Sequence, residues 1–416
     1  MAKKTDLLII GGGAAGLVAA GYAARRGLDV ILLEKMERPG RKLMITGKGR
    51  CNLTNNCDRE AFLAAVRRGS KFLYSASSAF SPQDVMALVE GRGVPLKTER
   101  GGRVFPVSDR SVDVVDALHS FAGSRARIMR ATVDALLLDE GRVVGVATLD
   151  GRRLPAGNVL VATGGKSYPL TGSTGDGYRL AESAGHTVTP LRPSLIPIVT
   201  RESWCREAMG LSLKNVRLKV WRTGKKKPVF DELGEMLFTH FGISGPLVLS
   251  ASAHMDGGME AFTLAIDLKP ALTPEQLDAR ILRDFGEFVN RDFANSLGAL
   301  LPRALIPIMV RLCGIEGSVK VNQITREERR RLIQLMKALP LTPKALRPLE
   351  EAVVTSGGVK TDEIDPRTMA SRLVEGLYFA GEVMDVDAYT GGYNLQIAFC
   401  TAYLAAHNIN GKGVTG

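Results

Sequence analysis

The chain has 416 residues, 45% hydrophobic and 24% charged, which exceeds one ordinary domain and fits a soluble globular protein with a sizeable core. No apolar run approaches the ~20 residues of a membrane span, so no membrane partner is expected. The formal charge of +12 and five scattered cysteines (Cys51, Cys57, Cys205, Cys313, Cys400) disfavour an acidic tail, a disulfide scaffold and a C-x-x-C metal site; free thiols fit a reducing cytoplasm.

Asp6 to Ile10 reads as a buried strand, followed directly by Gly11-Gly12-Gly13-Ala14-Ala15-Gly16. Leu17 to Arg26 is an Ala-rich helix stopped by Gly27, and Asp29 to Leu33 is a second strand ending on Glu34, 21 positions after Gly13. In a G-x-G-x-x-G turn the first glycine makes the tight turn and the second lets the backbone approach a pyrophosphate. The third packs helix on strand, while free N–H groups of the first helical turn face the phosphate charge. Glu34 is placed to accept from a ribose 2′-OH, and its charge would repel a 2′-phosphate. The competing reading is a plain glycine turn in a βαβ unit.

Arg41 to Asn56 has no sustained period and reads as a loop, with Arg41, Lys42, Lys48 and Arg50 as candidate phosphate-neutralising cations or a solvated basic loop. Arg59 to Arg68 is helical, and a further helix opens at Pro82 with Ser81 as its N-cap. Val94 to Val107 is a hairpin turning at Arg100-Gly101-Gly102. Ser111 to Phe121 is a helix, and Ala131 to Leu149 is a strand pair about Glu140-Gly141. Asn158 to Gly165 is a buried strand running into glycines, and Ser173 to Ala184 leads into a helix. Prolines 190, 193 and 197 punctuate a linker, and short strands follow from Ile196 to Asp267.

Thr273 to Leu305 reads as helical, and Thr325 to Ala338 as a charged helix opened by a Thr325/Glu328 capping pattern. Ala352 to Val359 alternates, Gly376 to Glu382 is a strand ending in glycine, and Asn394 to Ala406 is a small-residue helix. The nucleotide domain thus opens the chain, is interrupted by about 165 residues, and closes it again. Cations concentrate in Arg217 to Lys227 and Arg326 to Arg331. A solvated face is expected of both, with attraction of anionic cofactors or substrates as the other reading; a nucleic-acid partner is disfavoured, since the runs read as lacking interleaved aromatics and Glu327 and Glu328 interrupt the second.

Four segments together resemble one flavoprotein family: the opening fingerprint; Gly40-Arg41-Lys42 running into Thr46-Gly47-Lys48-Gly49-Arg50-Cys51-Asn52; Ala162-Thr163-Gly164-Gly165; and Ala380-Gly381-Glu382 followed by Asp385 and Gly391-Gly392-Tyr393-Asn394-Leu395-Gln396. The chain is similar, end to end, to the HI0933-like family of FAD-dependent oxidoreductases in the glutathione-reductase-like branch. The resemblance implies an α/β fold: a Rossmann-type FAD-binding domain (1–190 and 357–416), an inserted β-barrel-like domain (191–270 and 339–356) and a helical cap (271–338). It places Gly11, Gly13, Ala14, Ala15 and Gly16 at the pyrophosphate, Glu34 and Lys35 at the ribose, and Arg41 and Lys42 next along the cofactor. Thr46, Gly47, Cys51 and Asn52 approach the ribityl chain or ring. Ala162, Thr163, Gly164 and the backbone of Val133 border the adenosine half. Gly381, Glu382, Asp385, Gly392, Asn394, Leu395 and Gln396 close on the ribityl and flavin.

The helix after Gly391-Gly392 offers a second N-terminus that favours negative charge on a reduced ring, so the hard chemistry belongs to the cofactor. Five residues separate Cys51 from Cys57, not the four of a flavin disulfide reductase, so a dithiol is rejected. No second G-x-G-x-x-G with its acid exists; NAD(P)H is then a transient donor without a domain of its own. Asp387 and His240 read as a turn carboxylate and a packed core residue, and Tyr168 and Tyr389 as ordinary packing aromatics, with a place near substrate as the competing reading. The expectation is a cytoplasmic FAD-dependent oxidoreductase exchanging hydride with a small organic substrate. The alternative is a flavin-bearing regulatory protein touching RNA through its basic insertion. Catalytic residues, substrate and oligomeric state are not specified by the sequence.

Overall fold

Leu7, Leu8, Ile9 and Ile10 of β1 (Thr5–Ile10) are buried on both faces, as a strand in the middle of a covered parallel sheet must be. The structure, a computed structural model, describes residues 4–411. β1 pairs in parallel with β2 (Val30–Glu34) on one side and with the strand Arg153–Val161 on the other. Arg127–Arg130 lies outside β2, and Leu377–Phe379 outside Arg153–Val161, both parallel. α1 (Ala14–Arg25) and the last helix, Tyr393–Asn408, pack on each other and, with the parallel strands, share one hydrophobic core.

The first residues of Arg153–Val161 continue into an antiparallel meander with Arg142–Thr148 and Val133–Asp139. Its hairpin turns at Glu140 (φ +45°) and Gly141 (φ +77°), the left-handed pair a tight hairpin requires. These elements form one unit, up to Ser194 and from Leu349 onward.

The second unit is Leu195–Pro348. Its seven-stranded antiparallel sheet runs in the order Leu339–Leu341, Phe262–Asp267, Ser212–Arg222, Phe230–Thr239, Gly242–Ser244, Ile198–Thr200, Pro343–Leu346. The two edge strands are consecutive in the chain with only Thr342 between them, which curls the sheet back on itself. Helices Pro274–Glu287 and Arg326–Lys337 open on capping boxes, Thr273 with Gln276 and Thr325 with Glu328. Their apolar faces (Leu277, Ile281, Leu332, Met336) share one core with Leu264 and Ile266 of the sheet. Strands and helices of the insertion therefore form a single unit.

Three local expectations change. Arg41 to Asn56 is not a plain loop. It forms α2 (Arg41–Ile45), a 3-10 turn (Thr46–Gly49) and a short strand (Thr54–Asn55), shaped by left-handed backbone at Gly47, Lys48, Gly49 and Cys51. The helix from Arg59 stops at Ala65, because Val66–Arg68 pairs with Asp387–Ala388; tertiary pairing overrides local propensity. The helix from Pro274 ends at Glu287, and Ile306–Cys313 forms a separate helix that the pattern did not mark.

Candidate functional site

The turn between β1 and α1 is shaped by three glycines with different duties. Gly11 has φ +103°, and a Cβ there would meet the Ala162 carbonyl oxygen at 2.6 Å; at Gly16 it would lie 1.8 Å from the Gly11 oxygen. Both positions are closed to larger residues by the strand-to-helix packing. Gly13 differs: its backbone is extended, and a Cβ would meet nothing within 4 Å. The first helical bond is Leu17 N–H to the Gly13 oxygen (3.0 Å), so the N–H groups of Ala14, Ala15 and Gly16 face that open space without helical acceptors. No acid sits in this first turn, leaving its partial positive charge for a ligand.

Glu34 ends β2 beside this turn. Its carboxylate accepts from the Gly12 N–H and the Met36 N–H, each at 2.7 Å, which fixes it beside the glycine turn. The Ala131 N–H donates to the Glu34 carbonyl at 2.9 Å, which brings Val133 to the start of the next strand nearby. Lys35 turns toward the second glycine-rich turn, its Nζ donating to Thr174 Oγ1 (2.5 Å) and Asp176 Oδ2 (2.6 Å). Ala162, Thr163 and Gly164 (φ +71°) follow the strand Arg153–Val161, and Thr163 Oγ1 is buried without a hydrogen-bond partner among the described residues.

The closing segment lies against the opening one. A Cβ on Gly381 would sit 3.3 Å from that of Ala15, so the end of the last parallel strand touches the first turn of α1. Glu382 then points to Lys42, whose Nζ donates to its two oxygens at 2.7 and 3.1 Å and to Ser167 Oγ at 2.7 Å. The Thr355 N–H completes the set at 2.9 Å. Asp385 has one carboxylate oxygen buried without a hydrogen bond, and Arg68 Nη1 is 4.0 Å from it.

A second helix N-terminus follows. Gly392 (φ +98°) caps Tyr393–Asn408 and abuts the backbone of Thr54, where a Cβ would reach to 2.3 Å. The first helical bond is Gln396 N–H to the Gly392 oxygen (3.0 Å), which leaves the N–H groups of Tyr393, Asn394 and Leu395 open. With its amide turned to satisfy both neighbours, Asn52 accepts from the Gly392 N–H (3.1 Å) and donates to the Thr54 carbonyl (3.3 Å).

Asn394 and Gln396 use their side chains inside the protein. Asn394 accepts from the Ala388 N–H and donates to its carbonyl, while buried Gln396 joins Thr54 Oγ1 (2.7 Å) to the Phe80 carbonyl (3.0 Å). They shape the turn that presents the helix end.

In the segment between α2 and Asn52, Thr46 accepts the Cys51 N–H at 3.0 Å, and Gly47 and Cys51 are both left-handed. The Cys51 thiol is fully buried, and burial pushes its pKa up to about 12. The four cations part company. Lys42 pairs with Glu382, while Arg50 is held by Glu99 (2.8 Å) and Asp109 (3.1 Å) over the Phe105 ring. A joint phosphate-neutralising role for all four is therefore corrected: Arg41 and Lys48 alone are exposed and lack an acidic partner among the described residues.

Two other expectations are revised. Asp387 is not a solvated turn carboxylate. It is buried in a short strand, accepts from Ser194 Oγ (3.0 Å) and Ser356 Oγ (3.2 Å), and burial raises its pKa. His240 is exposed, edge-on to Phe241, rather than packed in the core. Sequence reading missed Ser167, Thr355 and Arg68, which carry no motif and reach the site only through tertiary contact. Among the described residues no cluster of three or more His, Cys, Asp or Glu could hold a metal, and no helix is long and apolar enough to cross a membrane.

Open space over Gly13, two helix ends with unused N–H groups, an acid fixed at the end of β2 and the buried, unbonded oxygens of Thr163 and Asp385 together fit a dinucleotide cofactor. Comparison with known proteins agrees. The family described as HI0933-like protein Rossmann domain matches residues 5–408. The chain is 33% identical to the 3-dehydro-bile acid delta(4,6)-reductase of Clostridium scindens, covering 95% of this chain and 97% of that one. It is 31% identical to the ribosomal RNA dihydrouridine synthase of Escherichia coli, covering 98% of each. In fold it is similar to Mycobacterium smegmatis Sdh1, with a TM-score of 0.50 at 16% identity over 98% of this chain and 68% of the other.

Proposed function

Because the chain belongs to the HI0933-like family of flavin-dependent reductases, we propose that it saturates a carbon–carbon double bond conjugated to a carbonyl, and that its acceptor is a uracil ring in ribosomal RNA. The observation that carries the reaction class is that two full-length relatives with different named substrates share one bond change. A delta(4,6) double-bond system beside a 3-keto group and the C5=C6 bond of uracil beside its C4 carbonyl are both conjugated to a carbonyl. Each accepts a hydride at an electrophilic carbon conjugated to that carbonyl (β in uracil, β or δ in the diene) and a proton on the carbon left carrying the charge.

Bound FAD supplies the hydride chemistry. The chain's own contribution is position and charge. Ala14, Ala15 and Gly16 would present N–H groups to the pyrophosphate, and Glu34 would take a ribose hydroxyl. The open N–H groups of Tyr393, Asn394 and Leu395 would hold the ring and favour negative charge on it. Lys42, held on Glu382 and Ser167, ties the end of the last parallel strand to α2. NAD(P)H is the proposed electron donor, docking transiently.

Uracil in RNA is favoured over a steroid by the net charge of +12, which suits a polyanion. A steroid enone is the second reading, supported by the 33% identity to the bile-acid reductase. The test is anaerobic incubation of the FAD-loaded protein and NADH or NADPH with ribosomal RNA lacking the modification, and separately with a 3-keto steroid diene. Dihydrouridine in the digested RNA, seen as a uridine heavier by two hydrogens, is the expected result. Turnover of the steroid alone would overturn the RNA assignment, and failure to retain flavin would overturn the reaction class.

A further inference from the structure

We propose that the hairpin formed by Ser212–Arg222 and Phe230–Thr239 in the second unit is the RNA-docking element, with Lys225, Lys226 and Lys227 on phosphates and Trp221 as a stacking platform for one base. It rests on the reading that RNA carries the substrate.

Charge is the first support. From residue 208 to residue 230 the chain has no acid and seven cations: Lys214, Arg217, Lys219, Arg222, Lys225, Lys226 and Lys227. The other basic run is balanced where it stands, since Arg329 pairs with Asp278, Arg330 faces Glu327 and Arg331 faces Glu328, the last two at 4.0 Å. In the hairpin only Arg217 and Lys219 have a carboxylate, and they share one, Asp231, at 3.1 and 3.6 Å. Lys214, Lys225, Lys226 and Lys227 are exposed and have no acidic partner among the described residues.

Strand geometry is the second support. Val216, Leu218 and Val220 are buried, so the alternate positions Arg217, Lys219 and Trp221 share the outer face. Trp221, half-buried and lying inside the basic run itself, sits opposite Thr263, and Lys219 sits opposite Ala265 on the neighbouring strand, two small residues beside the indole. The turn 223–229 is pinned by backbone bonds from Thr223 N–H to the Ala261 carbonyl (2.8 Å) and Val229 N–H to the Val220 carbonyl (2.8 Å), so its lysines project from a fixed base. A half-buried aromatic at the base of a turn that carries three lysines without acidic partners suits single-stranded RNA bound without reading its sequence: each cation releases counterions from a phosphate, and any base can stack.

The experiment uses the full-length, flavin-loaded protein with a ribosomal RNA fragment, in filter binding from low to high salt. Replacing all three lysines (Lys225→Ala, Lys226→Ala, Lys227→Ala) should lower the slope of log affinity against log salt by about 2, from ~0.7 per phosphate on a single strand. Binding should weaken at least tenfold at low salt, with thermal midpoint and rate of flavin reduction by NAD(P)H unchanged. Trp221→Ala should weaken binding about tenfold without changing the slope, and Trp221→Phe should restore it. An unchanged affinity and slope in the triple variant would overturn the proposal, as would equal retention on phosphatidylserine vesicles. If wild-type protein makes dihydrouridine and the triple variant does so at the same KM, the surface is wrong and the substrate reading stands. If the variant loses RNA binding while the wild type never makes dihydrouridine, the surface stands and the substrate reading falls.

Discussion

Lys42 Nζ donates to Glu382 Oε2 at 2.7 Å across 340 positions of sequence. The pair joins α2 to the end of the last parallel strand, and both side chains are about four-fifths shielded from solvent. Ser167 and the Thr355 N–H share the same carboxylate, so Glu382 is the point where four separated stretches of chain meet.

Lys42→Met should therefore destabilise the protein by about 1.5–3 kcal/mol, the range for a hydrogen bond to a charged group whose partner stays behind. Adding Glu382→Gln should cost less than the sum of the two single changes, because the two groups act together. Denaturant titration of the three variants measures this. Strict additivity would mean that the contact contributes no coupling energy.

Two glycines three positions apart should respond in opposite ways. Gly13→Ala adds a Cβ to open space and should leave folding of the cofactor-free protein intact, while that methyl group intrudes where a pyrophosphate would approach and lowers FAD affinity. Gly16→Ala forces a Cβ to 1.8 Å from the Gly11 oxygen and should prevent normal folding. Thermal melts of apoprotein and fluorescence titration with FAD separate the two effects. A Gly13→Ala protein that binds FAD like the wild type would remove the pyrophosphate from this turn.

Glu34→Ala should reduce FAD retention about tenfold, the worth of one ribose hydrogen bond to a carboxylate. It also removes the acceptor of the Gly12 and Met36 N–H groups, so a small loss of stability should accompany it. Flavin absorbance after gel filtration gives the occupancy. Full occupancy in the variant would contradict the ribose assignment.

Thiol titration should find Cys51 inert. It is fully buried with its pKa pushed to about 12, whereas Cys57 is only partly buried. The native protein should react with a disulfide reagent at Cys57 first, and oxidised and reduced flavin states should show the same thiol count. Loss of two thiols on oxidation would restore the dithiol that the five-residue gap argues against.

His186 predicts a pH response. Its ring is buried against Phe379, with Nδ1 3.1 Å from Glu363 Oε2 and Nε2 2.7 Å from Ser371 Oγ. Burial lowers its pKa, and the Glu363 carboxylate opposes this without cancelling it. A histidine depressed in the fold binds its proton more tightly when unfolded. The stabilisation is thus complete above the ordinary value of about 6.5 and lost as pH falls through the depressed one. Thermal midpoints between pH 7.5 and 5 should drop in the wild type and flatten in His186→Gln. An identical slope in both would assign the acid sensitivity elsewhere.

The residues alone determined the parts of this protein whose physics is local. The G-x-G-x-x-G turn, the acid at Glu34, the capping boxes at Ser81 and Thr325, and the hairpins at Gly101 and Gly141 depend on neighbours a few positions away. Backbone geometry and hydrogen bonding over that range leave a direct pattern in the sequence. Tertiary structure alone decided the rest. Val66 leaves a helix for a strand because Ala388 is there to pair with it, and Asp387 is buried because Ser194 and Ser356 are there to satisfy it. Arg50 is taken by Glu99 and Asp109, while Arg41 in the same segment is left free of acids among the described residues. Each of these outcomes is set by groups tens to hundreds of positions away, and no spacing rule along the chain encodes contacts at that range.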